Sequence, residues 1–242
     1  MARVFGGRTN YGEAIGIIML ETAFPRLPGD VGNASTFSFP VRYKVVKGAS
    51  PQKVVKEADP ALLQPFIEAA RELEKEGVRA ITTSCGFLAM FQREMADAVN
   101  VPVFSSSLLQ VPLAYAVISK SQQVGILTAR VQSLTERHFA GAGISGIPVV
   151  VAGMDDAPEF TGAFIDGKPD LDVEKCRQEM IEAAKGLKTK HPRVGAIVME
   201  CTNMPPFAKA VQEAVNLPVF DAVTLINYVY SVVVRHDYQG FM

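Results

Sequence analysis

Apolar residues fall along this chain in two patterns. Short continuous runs of Val and Ile predict strands buried on both faces. Longer stretches, with apolar positions recurring every three or four residues, predict amphipathic helices. Strands are expected at Ile15–Leu20, Val41–Val46, Ala80–Ser84, Val101–Phe104, Val124–Thr128, Pro148–Ala152, Ala196–Glu200 and Leu217–Phe220. Helices are expected at Pro60–Glu76, Leu88–Val99, Leu108–Ser119, Ser133–Ala142, Val173–Lys188, Pro205–Val215 and Thr224–Arg235. Such an alternation predicts an α/β fold of mostly parallel sheets with helices on both faces.

The pattern also repeats. Shifted by 116 residues, Val78–Phe104 lies on Val194–Phe220 without a gap, and 11 of the 27 positions are identical. A weaker echo sets Ala14–Leu20 against Gln123–Ala129. The chain therefore reads as two similar α/β lobes related by a pseudo-twofold axis. If the helix after each lobe's last strand crosses to the other lobe, residues 1–107 plus 221–242 form the first lobe and 108–220 the second.

Within the repeat, Cys85 falls opposite Cys201. Each cysteine ends a central strand just before a predicted helix, which is where ligands bind in open α/β sheets. A strand-end cysteine is often only a small buried hydrophobe. Two at equivalent positions of facing lobes suit a different task, because racemisation needs one group on each face of a carbon. A thiolate takes the proton and the opposed thiol returns one, each sulfur ~3–3.5 Å from the carbon. The helix starts are expected to lower the thiol pKa and to present N–H groups to a carboxylate or enolate oxygen. No lysine adjoins either cysteine, and the chemistry needs no cofactor.

The neighbours of the two cysteines are further candidates for substrate contact. Ser84, Gly86 and Phe87 flank the first, and Gly86 permits close backbone approach. Glu200, Thr202 and Asn203 flank the second; Thr202 and Asn203 also suit helix capping, and alternation turns Glu200 away from Cys201. In the long loop Glu21–Phe39, Asn33, Ser35 and Thr36 can donate to a carboxylate, although the same sequence carries turn chemistry. Cys176 has no repeat partner, and His138, His191 and His236 lie away from both motifs and read as packing or surface residues. The segment from Asp155 to Asp170 reads as a solvated loop, with a flap or a subunit contact as the alternatives.

Composition narrows the classes. With 24 basic and 25 acidic residues the formal net charge is −1, and no basic stripe suggests nucleic acid. The apolar stretch Ala222–Val234 is broken by Thr224, Asn227 and Ser231 and is short of the ~20 residues of a membrane span. No secretory pattern opens the sequence, and three sparse cysteines without a CxxC pair fit a reducing cytoplasm rather than a disulfide framework or a metal site. The expected partner is a small carboxylate or amide substrate. Assembly into a homo-oligomer is left open.

The first strand IGIIM, the Ser84-Cys85-Gly86 block, the VGILTA strand and the Glu200-Cys201-Thr202-Asn203 block together resemble the aspartate/glutamate racemase superfamily. That superfamily includes hydantoin racemases, maleate isomerases and arylmalonate decarboxylases. The resemblance implies two flavodoxin-like lobes with the active site between them, and two cysteines acting as bases without a cofactor. It also implies a hydroxyl for the substrate carboxylate at the end of the VGILT strand, at Thr128 or at the place of Ala129. Gly86-Phe87 stands where the amino-acid racemases have Asn-Thr, Asn203 where glutamate racemases have His, and Glu21-Thr22 where they have Asp-Ser. These departures point away from free glutamate or aspartate and toward the hydantoin-racemase branch. The expected activity is racemisation or epimerisation at a carbon α to a carbonyl. A maleate-type cis–trans isomerase and a non-catalytic binding relative are the alternatives.

Overall fold

The computed structural model describes residues 3–242. It contains two four-stranded sheets, all parallel, with strand orders β2-β1-β3-β4 and β6-β5-β7-β8. The first is built from β1 (Ile15–Leu20), β2 (Val41–Val46), β3 (Ala80–Thr83) and β4 (Val103–Phe104). The second is built from β5 (Gln123–Thr128), β6 (Val149–Gly153), β7 (Val194–Met199) and β8 (Val219–Phe220). Helices lie on both faces of each sheet: α1 (Leu63–Glu76), α2 (Gln92–Asp97), α3 (Val111–Ala116), α4 (Glu136–Gly141), α5 (Pro158–Phe164), α6 (Val173–Lys190), α7 (Ala208–Val215) and α8 (Ala222–Val233). The repeat is thus a repeat of topology. Its central strands β1, β3, β5 and β7 are the runs that the apolar pattern marked, and β1 and β3 are buried along their whole length.

The last strand of each sheet is shorter than its apolar run. Pro102 and Pro218 precede β4 and β8 and have no N–H to donate. Their carbonyls still accept from Ile81 and Ile197, both at 2.9 Å. The segments after the cysteines also differ from expectation. Gly86–Phe91 is a 3-10 turn that leads into a six-residue α2, and Pro205–Phe207 is a 3-10 turn before α7. Neither cysteine therefore sits directly on a regular α-helix.

Helices α3 and α8 exchange sides. Leu108, Val111 and Ala114, in and just before α3, pack with Val124, Ile126, Ala196 and Val198 of β5 and β7. Ala222, Leu225 and Ile226 of α8 pack with Ile15, Ile17 and Ala80 of β1 and β3. Asp221 caps α8 by accepting from Thr224 N at 2.8 Å, so the helix starts two residues earlier than its periodicity suggested. The Gln110 amide donates to the Asp221 carbonyl at 2.8 Å and ties the two crossings together. A third apolar cluster joins the sheets: Ile81, Phe87 and Phe91 share it with Leu127, Met199 and Phe207.

The segment expected as a solvated loop at 155–170 contains α5 instead. Phe160, Ala163 and Phe164 are buried, and the N–H groups of Glu159 and Phe160 donate to the Glu179 carboxylate, each at 2.9 Å. The stretch is too short and too Gly-rich for its period to be visible, and tertiary burial decides it. No helix among the described residues is long and apolar enough to cross a membrane.

Candidate active site

The ends of β3 and β7 deliver Cys85 and Cys201 to one pocket between the lobes. Its lining also includes Ser84, Gly86, Phe87, Glu200 and Asn203. The two motifs touch. Thr202 Oγ1 donates to the Ser84 carbonyl at 2.6 Å, and Ser107 Oγ donates to the carbonyls of Met199 at 2.5 Å and Glu200 at 3.1 Å. A Cβ on Gly86 would collide with the Glu200 carbonyl and with Glu200 Oε1. Gly86 is therefore needed for the close approach of Glu200, a protein group rather than only a ligand.

Three of the expected contact residues are occupied otherwise. Thr202 lies outside the lining and its hydroxyl fastens the two lobes. Thr128 lies beneath the pocket and donates to Glu200 Oε2 at 2.9 Å. Asn33 lies outside the lining: it caps the 3-10 turn Ala34–Thr36, accepting from Ser35 N at 3.0 Å, and its amide donates to the carbonyl of Arg26, a lining residue, at 2.9 Å. Ser84 faces the pocket, but its hydroxyl accepts from Leu20 N at 3.0 Å. Glu200 faces the pocket too, because β7 ends at Met199 and strict alternation ends with it.

The electrostatics differ from the expected lowered thiol pKa. Burial pushes the Cys85 thiol well up, and the Glu200 charge adds to the push. The N–H groups of Phe87 and Leu88 and the charge of Arg26 oppose it only in part. Cys201 is also raised, by burial first and by Glu200 second, and the nearby charge of Cys85 contributes. The reason is geometric. Short 3-10 turns offer a few N–H groups but no long helix dipole, and the closed pocket excludes the water that would solvate a thiolate. Glu200 itself is pushed up to about 7, chiefly by burial. Its Oε2 accepts from Thr128 and from Ala129 N at 3.5 Å, while Oε1 has no partner.

A model of the "Asp/Glu/Hydantoin racemase" family matches residues 49–226. The chain belongs to this family. Among curated proteins it is 35% identical, over 89% of its length, to a dimethylsulfoniopropionate lyase of Durusdinium sp. clade D, of which it spans 73%. It is 32% identical, over 88% of its length, to dimethylsulfoniopropionate lyase 3 of Emiliania huxleyi, of which it spans 58%. Among solved structures, unliganded arylmalonate decarboxylase superposes with a TM-score of 0.60 at 14% identity, with 94% of each chain covered. Picrophilus torridus aspartate racemase superposes with a TM-score of 0.58 at 16% identity, covering 92% of this chain and 94% of that one. These likenesses establish the racemase-family fold.

In this racemase-family pocket the structure adds residues that the sequence pattern did not mark. Arg26 is the one cation in the lining; it pairs with Asp30 at 2.7 Å and donates to Thr22 Oγ1 at 3.0 Å. Asp30 in turn accepts from Asn203 Nδ2 at 2.7 Å, and Cys201 Sγ donates to Asn203 Oδ1 at 3.4 Å. A polar chain thus runs from the loop after β1 to the second thiol. Phe24 and Phe164 close the pocket edge to face, with centroids 5.1 Å apart. His138 is buried beside Phe87, 5.4 Å between rings, so it packs behind the first motif rather than away from it. Burial pushes it down to about 4. The i, i+4 spacing of Arg26 and Asp30 in a Pro/Gly-rich loop was the available signal for the polar chain.

Proposed function

We propose that this chain is a carbon-acid lyase: a thiol of the Cys85/Cys201 pair removes the proton α to a carboxylate, and a leaving group departs from the β carbon. The observation that carries this reading is the shared pocket into which both lobes deliver a cysteine. The curated relatives, named as dimethylsulfoniopropionate lyases, support a β-sulfonium propionate as the substrate. Ser84, Cys85, Gly86, Phe87, Glu200, Cys201 and Asn203 supply the candidate contacts to it, and Arg26 supplies positive charge for its carboxylate.

The reaction balances without a further reactant. The thiolate takes a proton from C2, and the C–H electron pair becomes the C2–C3 double bond. The C3–S electrons leave with sulfur, giving dimethyl sulfide and acrylate. The protonated thiol then returns its proton to water. The first half of this sequence is the step a two-thiol racemase performs. The difference lies in what the carbanion-like intermediate meets: a leaving group on the adjacent carbon, or a second thiol on the opposite face. Burial of the two thiols serves both, since water would quench the intermediate.

The test is incubation with dimethylsulfoniopropionate, with headspace chromatography for dimethyl sulfide and proton NMR for acrylate. Equimolar release that is lost in Cys85→Ser or Cys201→Ser supports the lyase; no release with folded protein overturns it. Racemisation at a carbon α to a carbonyl is the second reading, favoured by the equivalent placement of the two thiols. It predicts deuterium incorporation, with inversion, into an enantiopure amino acid or hydantoin in deuterated water. A maleate-type cis–trans isomerisation would show as loss of maleate in the same NMR experiment. Three free thiols agree with a reducing compartment such as the cytoplasm.

A further inference from the structure

We propose that Glu200 is the cation-recognising residue of the pocket, and that the group it takes is an onium centre without N–H donors, a sulfonium or a quaternary ammonium. The inference rests on the reading that this pocket is the active site. It does not depend on which bond is broken there.

Glu200 is fully buried, yet only half of its carboxylate is satisfied. Thr128 and Ala129 hold Oε2, while Oε1 lies against Gly86 of the pocket lining and has no hydrogen-bond partner. Gly86 leaves the space that Oε1 occupies, since any side chain there would strike it. The cation in the lining does not serve Glu200, because Arg26 pairs with Asp30 instead. Leaving a buried carboxylate oxygen unpaired is costly, and a bound cation offsets that cost.

The surrounding wall decides the kind of cation. Phe24, Phe87, Phe164 and Leu20 line the same pocket. A primary ammonium brings three N–H donors that each need an acceptor. An onium with methyl substituents brings none, and ring faces and one carboxylate suffice for it. Arg26 and Glu200 then give the pocket one positive and one negative end, complementary to a zwitterion. A second consequence follows from the charges. Glu200 raises both thiols, so an onium seated on it cancels that push and eases formation of the base when substrate is present.

Titration calorimetry with two probes tests this: 3-(trimethylammonio)propionate, and 4,4-dimethylpentanoate, its isostere without the onium charge. The wild-type protein should bind the onium probe at least about tenfold more tightly than the onium-free one, and Glu200→Gln should erase that preference. An unchanged preference in a folded Glu200→Gln protein overturns the proposal, as does a wild type that binds the onium-free probe as well or better. If the variant does not fold, the wild type alone decides. Its preference should collapse as pH falls through about 7, where Glu200 takes up a proton. The other groups around the site do not mimic this. Cys85 and Cys201 are raised and stay neutral, His138 is held neutral by burial, and Arg26 stays paired with Asp30. A preference that stays flat from pH 5.5 to 8.5 overturns the proposal. Preference without dimethyl sulfide release would leave this assignment standing and remove the lyase reading. Release with no preference would do the reverse.

Discussion

At the scale of single residues, the site is a compromise between burial and charge, and Glu200 carries most of it. Its pKa lies near 7 in the folded chain against 4.5 ordinarily. The folded state therefore holds this proton more tightly than the unfolded state does. Stability from the neutral form is full below the ordinary value and is lost as pH rises through about 7. Glu200→Gln should thus be more stable than wild type at pH 8 by roughly 3 kcal/mol, with the gap closing toward pH 4.5. Urea melts at both pH values measure it, and a constant gap would contradict the burial argument. Gly86→Ala should act in the opposite direction. Its methyl group meets Glu200 on the facing lobe, and overpacking of this kind costs about 1–3 kcal/mol. It should also reduce turnover more than Ala89→Gly, a control in the same turn. Cys85 and Cys201 were legible because the repeat set them opposite each other. Phe164 and the link from Asp30 to Asn203 were not, because those partners are distant in sequence, and the Arg26–Asp30 spacing lies in a loop with no period to support it.

At the scale of elements, the central strands were legible as continuous apolar runs, since a strand covered on both faces is apolar throughout, whereas the edge strand β2 carries Arg42 and Lys44 and is only half-buried. The helices beside the cysteines were harder. Periodicity does not distinguish a 3-10 turn from the first turn of an α-helix, and it does not show the burial that raises both thiols. Helix α5 was hidden for another reason: seven residues are too few to show a face, and its apolar side chains acquire meaning only from Phe24 and α6. It closes the pocket, and this predicts how the thiols react. In wild type, Cys85 and Cys201 should be alkylated slowly by iodoacetamide at neutral pH, because both are buried and held protonated. Phe164→Ala removes a wall of the pocket and should cost about 3–5 kcal/mol of stability. It should also speed alkylation of these two thiols several-fold while leaving Cys176 unchanged. Peptide mass mapping against time separates the three sites, and equal acceleration at Cys176 would indicate general loosening instead.

At the scale of the whole molecule, the two lobes are alike in topology but not independent. Their helices α3 and α8 lie on each other's sheets, one apolar cluster runs through both, and hydrogen bonds from Thr202 and Ser107 cross between the motifs. Opening one lobe would expose apolar surface of the other, so partial unfolding gains little chain entropy for much lost burial. The chain should therefore unfold in a single transition, with far-ultraviolet dichroism and tyrosine fluorescence coinciding, despite its repeat. A ligand held between the lobes contacts the product of that cooperativity. If 3-(trimethylammonio)propionate binds there, it should move the whole transition together, by about 2.7 kcal/mol at a concentration one hundred times its dissociation constant. Splitting into two transitions, with only one responding to the probe, would mean that the lobes fold separately and that the binding surface belongs to one of them. A uniform shift ties the pocket to both, as a site assembled from two strand ends requires.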